Sequence, residues 1–389
     1  YLEKKFAKKP ELVEANKAVV RAGFNFCENT DILESQVMVE QAQMPKGKYR
    51  NITGNIATAW GLLAAAEKAG LPLFLGSYPI TPATDILIEL AKHKSLGARV
   101  FQAEDEIAGI CSAIGASFAG AMACTSTSGP GLSLKSEAIG LAVMTELPLV
   151  IVDVQRGGPS TGLPTKTEQS DLTQALFGRN GEAPCIVVAA SSSANCFYWA
   201  FEAARLSLET MTPTILLTDG YLGNGSQLFR IPKMADLPKI NPPFATPNDP
   251  NYAPYNRDPE TLVRQWAVPG MDGLRHRIGG LEKLSGKGSV STDSANHEQM
   301  VKFRKEKVER VANRIPNQEV EGAESADLLV VGWGGTEGAL RCAVQELQAE
   351  GKSIAFTQFN YIMPLPKNTE EMLKRYKKVV VCELNMGRF

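Results

Sequence analysis

The feature that most constrains the fold of this chain is an alternation, over residues 50–235, of short apolar segments with helical segments. Residues 147–156 (LPLVIVDVQR) and 213–219 (PTILLTD) are almost continuously apolar and rich in β-branched side chains. Strands of this kind are typical of parallel sheets whose two faces are both covered by helices. The alternation therefore predicts an α/β domain built on a parallel sheet.

The ends of the predicted helices are marked by capping residues. The clearest case lies between Thr53, a good N-cap residue, and Gly70, a typical C-terminal stop. In residues 1–45, which are charged, a helical pattern starts at Glu11 and is expected to end near Gly23. Residues 129–131 (GPG) are expected to form a turn between a strand and a helix.

Changes in composition along the 389 residues predict four segments. Residues 1–45 are expected to be a linker or the tail of an upstream domain, and residues 46–235 form the parallel-sheet domain. Residues 236–319 are a connector, rich in Pro and Asn, that ends in a long charged helix. Residues 320–389 resume the alternation and predict a second, smaller α/β domain, which we expect to be truncated because no helix follows its last strand.

Charge and cysteine content exclude several classes of protein. The 41 basic and 42 acidic residues give a net charge of −1, so the chain lacks the overall positive charge typical of nucleic-acid-binding proteins. The seven cysteines form no C-x-x-C motif, which predicts reduced thiols in a cytoplasmic protein and no iron–sulfur cluster on this chain. Three isolated histidines predict no zinc site. The uncharged residues 107–134 are rich in Ala, Gly and Ser, which favours a packed helix over a membrane span.

Three loops of the first domain follow strands and carry residues suited to chemistry. In residues 76–82 (GSYPITP), two prolines flank Thr81, although a simple turn would explain the same pattern. Residues 102–106 (QAEDE) place three carboxylates before a helix, where capping is the alternative explanation. In residues 153–165 (DVQRGGPSTGLPT), Arg156 suits the bidentate capture of a carboxylate or a phosphate, with a structural salt bridge as the alternative.

Two further patterns resemble known motifs only weakly. Residues 332–338 (GWGGTEG) miss the dinucleotide-binding pattern G-x-G-x-x-G because position 337 is Glu. Asp219 and Gly220, followed by Asn224, lack the spacing of a diphosphate-binding motif, and we predict a turn there.

Four motifs, GSYPITPATD, QAEDEIAGICSAIGAS, TSTSGPGLSL and VQRGGPSTGLPT, together resemble the α subunit of the 2-oxoacid:ferredoxin oxidoreductases, most closely those that act on 2-oxoglutarate. The resemblance covers residues 50–389. It implies a thiamine-diphosphate-binding-like domain of the pyrimidine type, followed by a domain similar to the C-terminal domain of transketolase. Residues 1–45 resemble the end of a γ-type domain. The family usually shows NMGQ where this chain has NMGR, at Arg388.

The resemblance also implies cofactors and partners. Thiamine diphosphate would be shared with a β subunit, which would hold Mg²⁺ and an iron–sulfur cluster, in an (αβ)₂ assembly. Glu104 matches the family's partner for the pyrimidine ring, next to Pro79 and Ile80, although the spacing leaves Glu106 as an alternative. No nucleic acid or membrane partner is implied.

The expected substrate site consists of Thr81 and Arg156, which match the family's clamp on the 2-oxoacid carboxylate, with Ser160 and Thr161 in the pocket wall. The implied reaction is oxidative decarboxylation of 2-oxoglutarate with coenzyme A as acyl acceptor and ferredoxin as electron acceptor, or its reverse. Pyruvate and branched 2-oxoacids are alternative substrates. A non-catalytic Rossmann-type nucleotide-binding or assembly subunit is the alternative of another class.

Overall fold

The computed structural model describes residues 1–30, 32, 35 and 37–389, and divides into two units, Tyr1–Gly47 and Lys48–Phe389. The first unit contains helices α1 (Leu2–Lys5) and α2 (Pro10–Thr30). The predicted helix end near Gly23 is wrong, because α2 continues to Thr30. A single glycine lowers helix stability by about 1 kcal/mol but does not terminate the helix. The part of the 1–45 prediction that concerns residues 31, 33, 34 and 36 lies outside the described residues.

The second unit is an α/β structure. Its strands are β1 (Tyr49–Thr53), β2 (Leu73–Ser77), β3 (Ala98–Gln102), β4 (Met122–Thr127), β5 (Leu149–Gln155), β6 (Ile186–Ala189), β7 (Pro213–Asp219), β8 (Ser226–Arg230), β9 (Leu328–Trp333), β10 (Ile354–Phe359), β11 (Tyr361–Met363) and β12 (Lys378–Cys382). Its helices are α3 (Gly54–Ala69), α4 (Thr84–Ala91), α5 (Glu106–Phe118), α6 (Gly129–Leu134), α7 (Ser136–Thr145), α8 (Leu172–Phe177), α9 (Cys196–Thr210), α10 (Gly220–Asn224), α11 (Ser294–Glu309), α12 (Glu337–Ala349) and α13 (Thr369–Leu373).

A seven-stranded sheet forms the centre of this unit, in the order β11-β6-β7-β5-β4-β2-β3. All its neighbouring strands are parallel except the edge pair of β11 and β6. Every residue of β5 is buried, as its continuous hydrophobicity predicts. Val150 and Val152 pack into one hydrophobic core, whereas Leu149 and Ile151 pack into the other. The parallel sheet with both faces covered is therefore confirmed.

Helix α3 begins and ends where the sequence predicts. The Thr53 hydroxyl accepts a hydrogen bond from the Ile56 amide, and Gly70 closes the helix in the left-handed conformation. At Gly61, α3 packs so closely against α9 that an added Cβ would lie 2.2 Å from the carbonyl oxygen of Phe197. This contact explains why position 61 holds glycine.

A smaller parallel sheet, in the order β10-β9-β12, is formed by residues of the 320–389 segment. The same segment also supplies β11 to the edge of the large sheet. The two sheets therefore share one unit, and the domain boundaries after residues 235 and 319 remain predictions.

The connector is mostly irregular until α11. It is attached to the C-terminal end of α7 by buried cations. Lys283 Nζ donates to the carbonyl of Met144 at 2.9 Å, and Arg264 donates to the carbonyls of Thr145 and Glu146. Lys307 pairs with the Glu146 carboxylate at 2.9 Å. Cations stabilise a helix C-terminus because its last carbonyls lack partners within the helix.

Glu146 carries the negative charge of this attachment. Arg257 also pairs with its carboxylate, on the oxygen opposite Lys307. Burial disfavours the ionised form of Glu146, but Lys307 and Arg257 outweigh that effect and hold its pKa at about 2.

Two local predictions differ from the structure, and one pair of strands was not predicted. Residues 129–131 form the first turn of α6, because proline fits the first turn of a helix, where no hydrogen bond from its nitrogen is needed. Asp219 does not form a simple turn but caps α10, accepting a hydrogen bond from Leu222. The antiparallel pair of β1 and β8 was not predicted from the sequence.

Candidate active site

The three loops singled out in the sequence leave the sheet at one edge. Strands β2 and β3 are parallel neighbours whose last residues, Ser77 and Gln102, are register partners. The segments 79–81 and 104–106 therefore begin side by side. Strand β5 ends at Gln155, two places across the sheet from β2, with β4 between them. The carboxyl ends of parallel strands are where ligands bind in open α/β sheets.

Arg156 and Thr81 are brought into direct contact. Arg156 is only 7% exposed, and its Nη1 donates a hydrogen bond of 2.6 Å to the carbonyl oxygen of Thr81. Its Nε is buried and has no hydrogen-bond partner among the described residues. A buried guanidinium with unused donors is an unfavourable arrangement unless a ligand completes it. The contact supports a clamp built from these two residues.

Arg156 lies in the wall of a cavity of about 410 Å³. The other polar residues of the wall are Ser133, Ser160, Glu168, Ser170, Asp171 and Gln174. Ser160 has a positive φ of 57°, which few residues other than glycine adopt. Thr161 follows it in the same loop and is exposed, but it is not part of this wall. Of the two residues predicted for the pocket, the structure therefore places Ser160 beside Arg156.

The loop after Arg156 is held in place by a carboxylate that the sequence analysis did not single out. Glu168 accepts hydrogen bonds from the Gly158 amide at 2.9 Å and the Ser170 hydroxyl at 2.8 Å. The backbone closes on itself where Gly157 donates to Lys166. The cavity wall is thus shaped before any ligand enters, which lowers the cost of binding.

The three carboxylates of residues 104–106 have different environments. Asp105 caps α5, accepting a hydrogen bond of 2.8 Å from the Ala108 amide. Glu106 is half-buried and packs, with the hydroxyl of Tyr78, around Gly131. Glu104 is exposed, and its carboxylate has no hydrogen bond or ion pair within the described part of the chain. Capping therefore explains Asp105 but not Glu104.

Tyr78 and Glu106 belong to a tightly packed group. The Tyr78 hydroxyl is 3.0 Å from Thr127 Oγ1, and burial raises its pKa. An added Cβ at Gly131 would lie 2.1 Å from Thr127 Oγ1 and 2.2 Å from the Tyr78 hydroxyl, so only glycine fits. Lys135 lies over the Tyr78 ring and is fully buried.

Lys135 supports the start of α5 from inside. Its Nζ donates to the Glu106 carbonyl at 2.8 Å and to Thr125 Oγ1 at 3.1 Å. Burial lowers its pKa to about 8, against the opposing effect of the Glu106 carboxylate. No sequence signal identified this lysine, since its role depends on contacts between distant segments.

Asp153 and Asp171 form a carboxyl pair that sequence reasoning also missed. Asp153 is fully buried near the end of β5, its carboxyl oxygens have no hydrogen-bond partner among the described residues, and Asp171 is the charged group that acts on it most strongly. Burial and the negative charge of Asp171 raise the pKa of Asp153 well above its ordinary value. A carboxylate inside an otherwise apolar strand was the signal that could have identified Asp153.

Other classes of site are not found in the part of the chain that the structure describes. No helix there is both long and apolar enough to cross a membrane. No group of three or more His, Cys, Asp and Glu side chains among those residues is arranged to hold a metal ion. All seven cysteines are free thiols.

Comparison with known proteins gives consistent matches. A family model described as pyruvate flavodoxin/ferredoxin oxidoreductase, thiamine diphosphate-binding, matches residues 65–292. The chain is 51% identical over 389 residues to the 2-oxoglutarate oxidoreductase subunit KorA of Mycobacterium tuberculosis, and it covers 59% of that protein's length. It is 35% identical to the 2-oxoglutarate synthase subunit KorA of Methanothermobacter thermautotrophicus, over 87% of this chain and 88% of the relative.

A solved structure has the same fold. The 2-oxoglutarate:ferredoxin oxidoreductase from Magnetococcus marinus, with 2-oxoglutarate, coenzyme A and succinyl-CoA bound, superposes with a TM-score of 0.91 at 36% identity. The match covers 99% of this chain and 66% of that chain. The chain therefore belongs to the pyruvate flavodoxin/ferredoxin oxidoreductase family and contains that family's thiamine diphosphate-binding domain.

Proposed function

We propose that this chain is the α subunit of a thiamine-diphosphate-dependent 2-oxoacid:ferredoxin oxidoreductase that converts 2-oxoglutarate to succinyl-CoA, or catalyses the reverse reaction. The observation that carries the proposal is the buried guanidinium of Arg156, held by Thr81 and open to a cavity of about 410 Å³. The names of the KorA relatives and the ligands in the Magnetococcus marinus structure support 2-oxoglutarate as the 2-oxoacid.

The residues present fit the pyrimidine side of thiamine diphosphate. Glu104 is an exposed carboxylate without a partner in the described chain. The loop that contains it starts beside the loop of residues 79–81 at the sheet edge. We assign Glu104 to the hydrogen bond with the ring, and Pro79 and Ile80 to the adjoining wall. Glu106 is the alternative, but its side chain is half-buried and packs close to Gly131, beside the Tyr78 hydroxyl. When bound, the cofactor would supply the stabilised carbanion that decarboxylation requires.

For the substrate, we assign Arg156 and Thr81 to the carboxylate next to the 2-oxo group. A guanidinium binds a carboxylate through two parallel N–H···O bonds, which fixes its direction as well as its position. Ser160 lies in the same cavity wall and would contact the remainder of the substrate. Thr161 is assigned to the outer part of the pocket because it is exposed in the same loop.

The proposal requires partners. We propose a β subunit that carries Mg²⁺ and the iron–sulfur cluster, an (αβ)₂ assembly, and ferredoxin as the electron acceptor in the cytoplasm. Coenzyme A, which is bound in the Magnetococcus marinus structure, would receive the acyl group.

The test is reconstitution of this chain with a β subunit of the same enzyme class. We expect reduction of a viologen dye that requires 2-oxoglutarate and coenzyme A together, with pyruvate and a branched 2-oxoacid as parallel substrates. The isolated chain should be inactive. A complex that assembles but prefers pyruvate would refute the substrate assignment, and activity of the isolated chain would refute the subunit assignment.

Glu104 and Glu106 are distinguished in the same assay. We expect Glu104→Gln to lower turnover by at least about a hundredfold, since general acid–base groups contribute on that order. Wild-type turnover in Glu104→Gln, together with loss in Glu106→Gln, would transfer the role to Glu106.

A further inference from the structure

Asp171 lines the same cavity as Arg156, and the carboxyl pair of Asp153 and Asp171 has no role in the proposed function as described so far. Both oxygens of Asp153 and Oδ2 of Asp171 are buried and receive no N–H or hydroxyl donor among the described residues. The remaining oxygen, Asp171 Oδ1, accepts a hydrogen bond from Gln155 Nε2. Since a carboxylate has no hydrogen to donate, two carboxylates form a hydrogen bond with each other only when one of them is protonated.

The fold holds the two groups together from both sides. Asp153 lies in β5, two residues before Gln155, so the side chains of both point to the same face of the sheet. Asp171 immediately precedes α8, and α6 packs against it so closely that an added Cβ at Gly129 would lie 2.9 Å from Asp171 Oδ2. The two carboxyl groups therefore have little room to separate.

We propose that Asp153 and Asp171 share one proton and act as a positioning pair for Arg156, limiting the negative charge beside its guanidinium so that Arg156 remains available to the carboxylate of the 2-oxoacid. The proposal rests on the proposed function, because it assigns Arg156 to that carboxylate. It adds two residues that do not touch the substrate.

The charges around the pair support this reading. Arg156 is the cation whose charge acts on Asp153. Glu168 is the other charged group that acts on Asp171, and its negative charge opposes the loss of the shared proton. Ionisation of one of two adjacent buried carboxyl groups raises the pKa of the other, so the pair loses its last proton at a higher pH than an isolated aspartate.

A kinetic consequence follows from the charge. Above the pH at which the pair loses its proton, a second negative charge appears next to Arg156 and competes with the substrate carboxylate. KM for 2-oxoglutarate should then rise by up to about tenfold per pH unit, the slope of a single titration. Turnover at saturating substrate should change much less, because the pair does not contact the reacting atoms.

The kinetic test uses the assembled complex with its β subunit. Asp153→Asn keeps a donor for Asp171 but cannot ionise, so the alkaline rise in KM should disappear. Asp171→Asn should also remove the alkaline rise in KM. Either variant can therefore test the proposal if the other fails to fold. Asp219→Asn is the matched control, because Asp219 is a buried aspartate at the end of the neighbouring strand β7. That variant should keep the rise, and a rise that persists in both pair variants would overturn the proposal.

Infrared spectroscopy of the same proteins provides a readout that does not depend on turnover. At about pH 8, where ordinary carboxyl groups are ionised, a carbonyl stretching band of a protonated carboxyl group should remain in the wild-type protein and in Asp219→Asn. It should be absent from Asp153→Asn, and its absence from the wild type would overturn the proposal. A band that is present without any 2-oxoacid activity would confirm the shared proton and refute the proposed function.

Discussion

The replacement of Arg156 by alanine tests the substrate clamp most sharply. One of its N–H groups is used by the Thr81 carbonyl, whereas Nε is buried and has no hydrogen-bond partner within the described chain. Two charge-assisted hydrogen bonds to the ligand, each worth about 1.5 kcal/mol, give about 3 kcal/mol in total. That free energy corresponds to a loss of roughly a hundredfold in kcat/KM for 2-oxoglutarate. We expect most of this loss to appear as a higher KM and only a small part as a lower kcat.

Arg156→Lys separates charge from geometry. Lysine keeps the positive charge but loses the two-pronged donor, so we expect a loss of about tenfold. Lys166→Ala is the matched control, since it removes an exposed cation from the same loop, and its KM should stay within about twofold of the wild type. Steady-state viologen reduction by the assembled complex measures all three variants. A wild-type KM in Arg156→Ala, with unfolding temperature unchanged, would refute the clamp.

Three predictions concern stability and are measured by denaturant unfolding. Glu146→Gln leaves buried cations unpaired and should cost about 3 kcal/mol at about pH 7. Because the pKa of Glu146 is low in the folded protein, its carboxylate stabilises the fold fully above about pH 4.5, and this stabilisation is lost as the pH falls towards 2. The stability difference between the wild type and Glu146→Gln should therefore shrink between these pH values. A constant cost would contradict this assignment. Gly131→Ala places a Cβ 2.1 Å from Thr127 Oγ1 and should lower the free energy of unfolding by about 1–3 kcal/mol. Gly115→Ala is the control, because an added Cβ there meets no neighbouring element within 4 Å, and it should not lower the free energy of unfolding. Burial raises the pKa of Asp219 to about 6, so the wild type should lose stability as the pH rises from about 4 through 6, and Asp219→Asn should not. The difference in free energy of unfolding between the wild type and Asp219→Asn should change by up to about 3 kcal/mol over this pH range. The same pH dependence of stability in both proteins would contradict this prediction.

The central sheet was predictable because its strands are buried on both faces. Continuous hydrophobicity in β5 and the cap at Thr53 act locally, so they can be read from neighbouring residues. The pair of β1 and β8 was missed because it joins residues far apart in the chain and leaves most of its side chains partly exposed. Exposed strands show little periodic hydrophobicity.

The candidate site was predictable as three loops but not as contacts. The position of Arg156 at a strand end indicated a ligand site, and the structure adds its bond to the Thr81 backbone. Asp171 could not be assigned from sequence, because its partner Asp153 lies in a different element and their contact depends on the packing of α6 and α8. Buried polar groups of this kind acquire meaning only from tertiary structure.

The central claim is that the chain, with its β partner, decarboxylates a 2-oxoacid bound at Arg156. The most direct measurement follows 2-oxoglutarate labelled in the carboxyl group next to the 2-oxo carbon. We predict release of labelled CO₂ together with succinyl-CoA and an electron pair transferred to ferredoxin, in equal amounts, and strongly reduced release in Arg156→Ala. A complex that binds thiamine diphosphate and assembles fully, yet releases no label, would contradict the account.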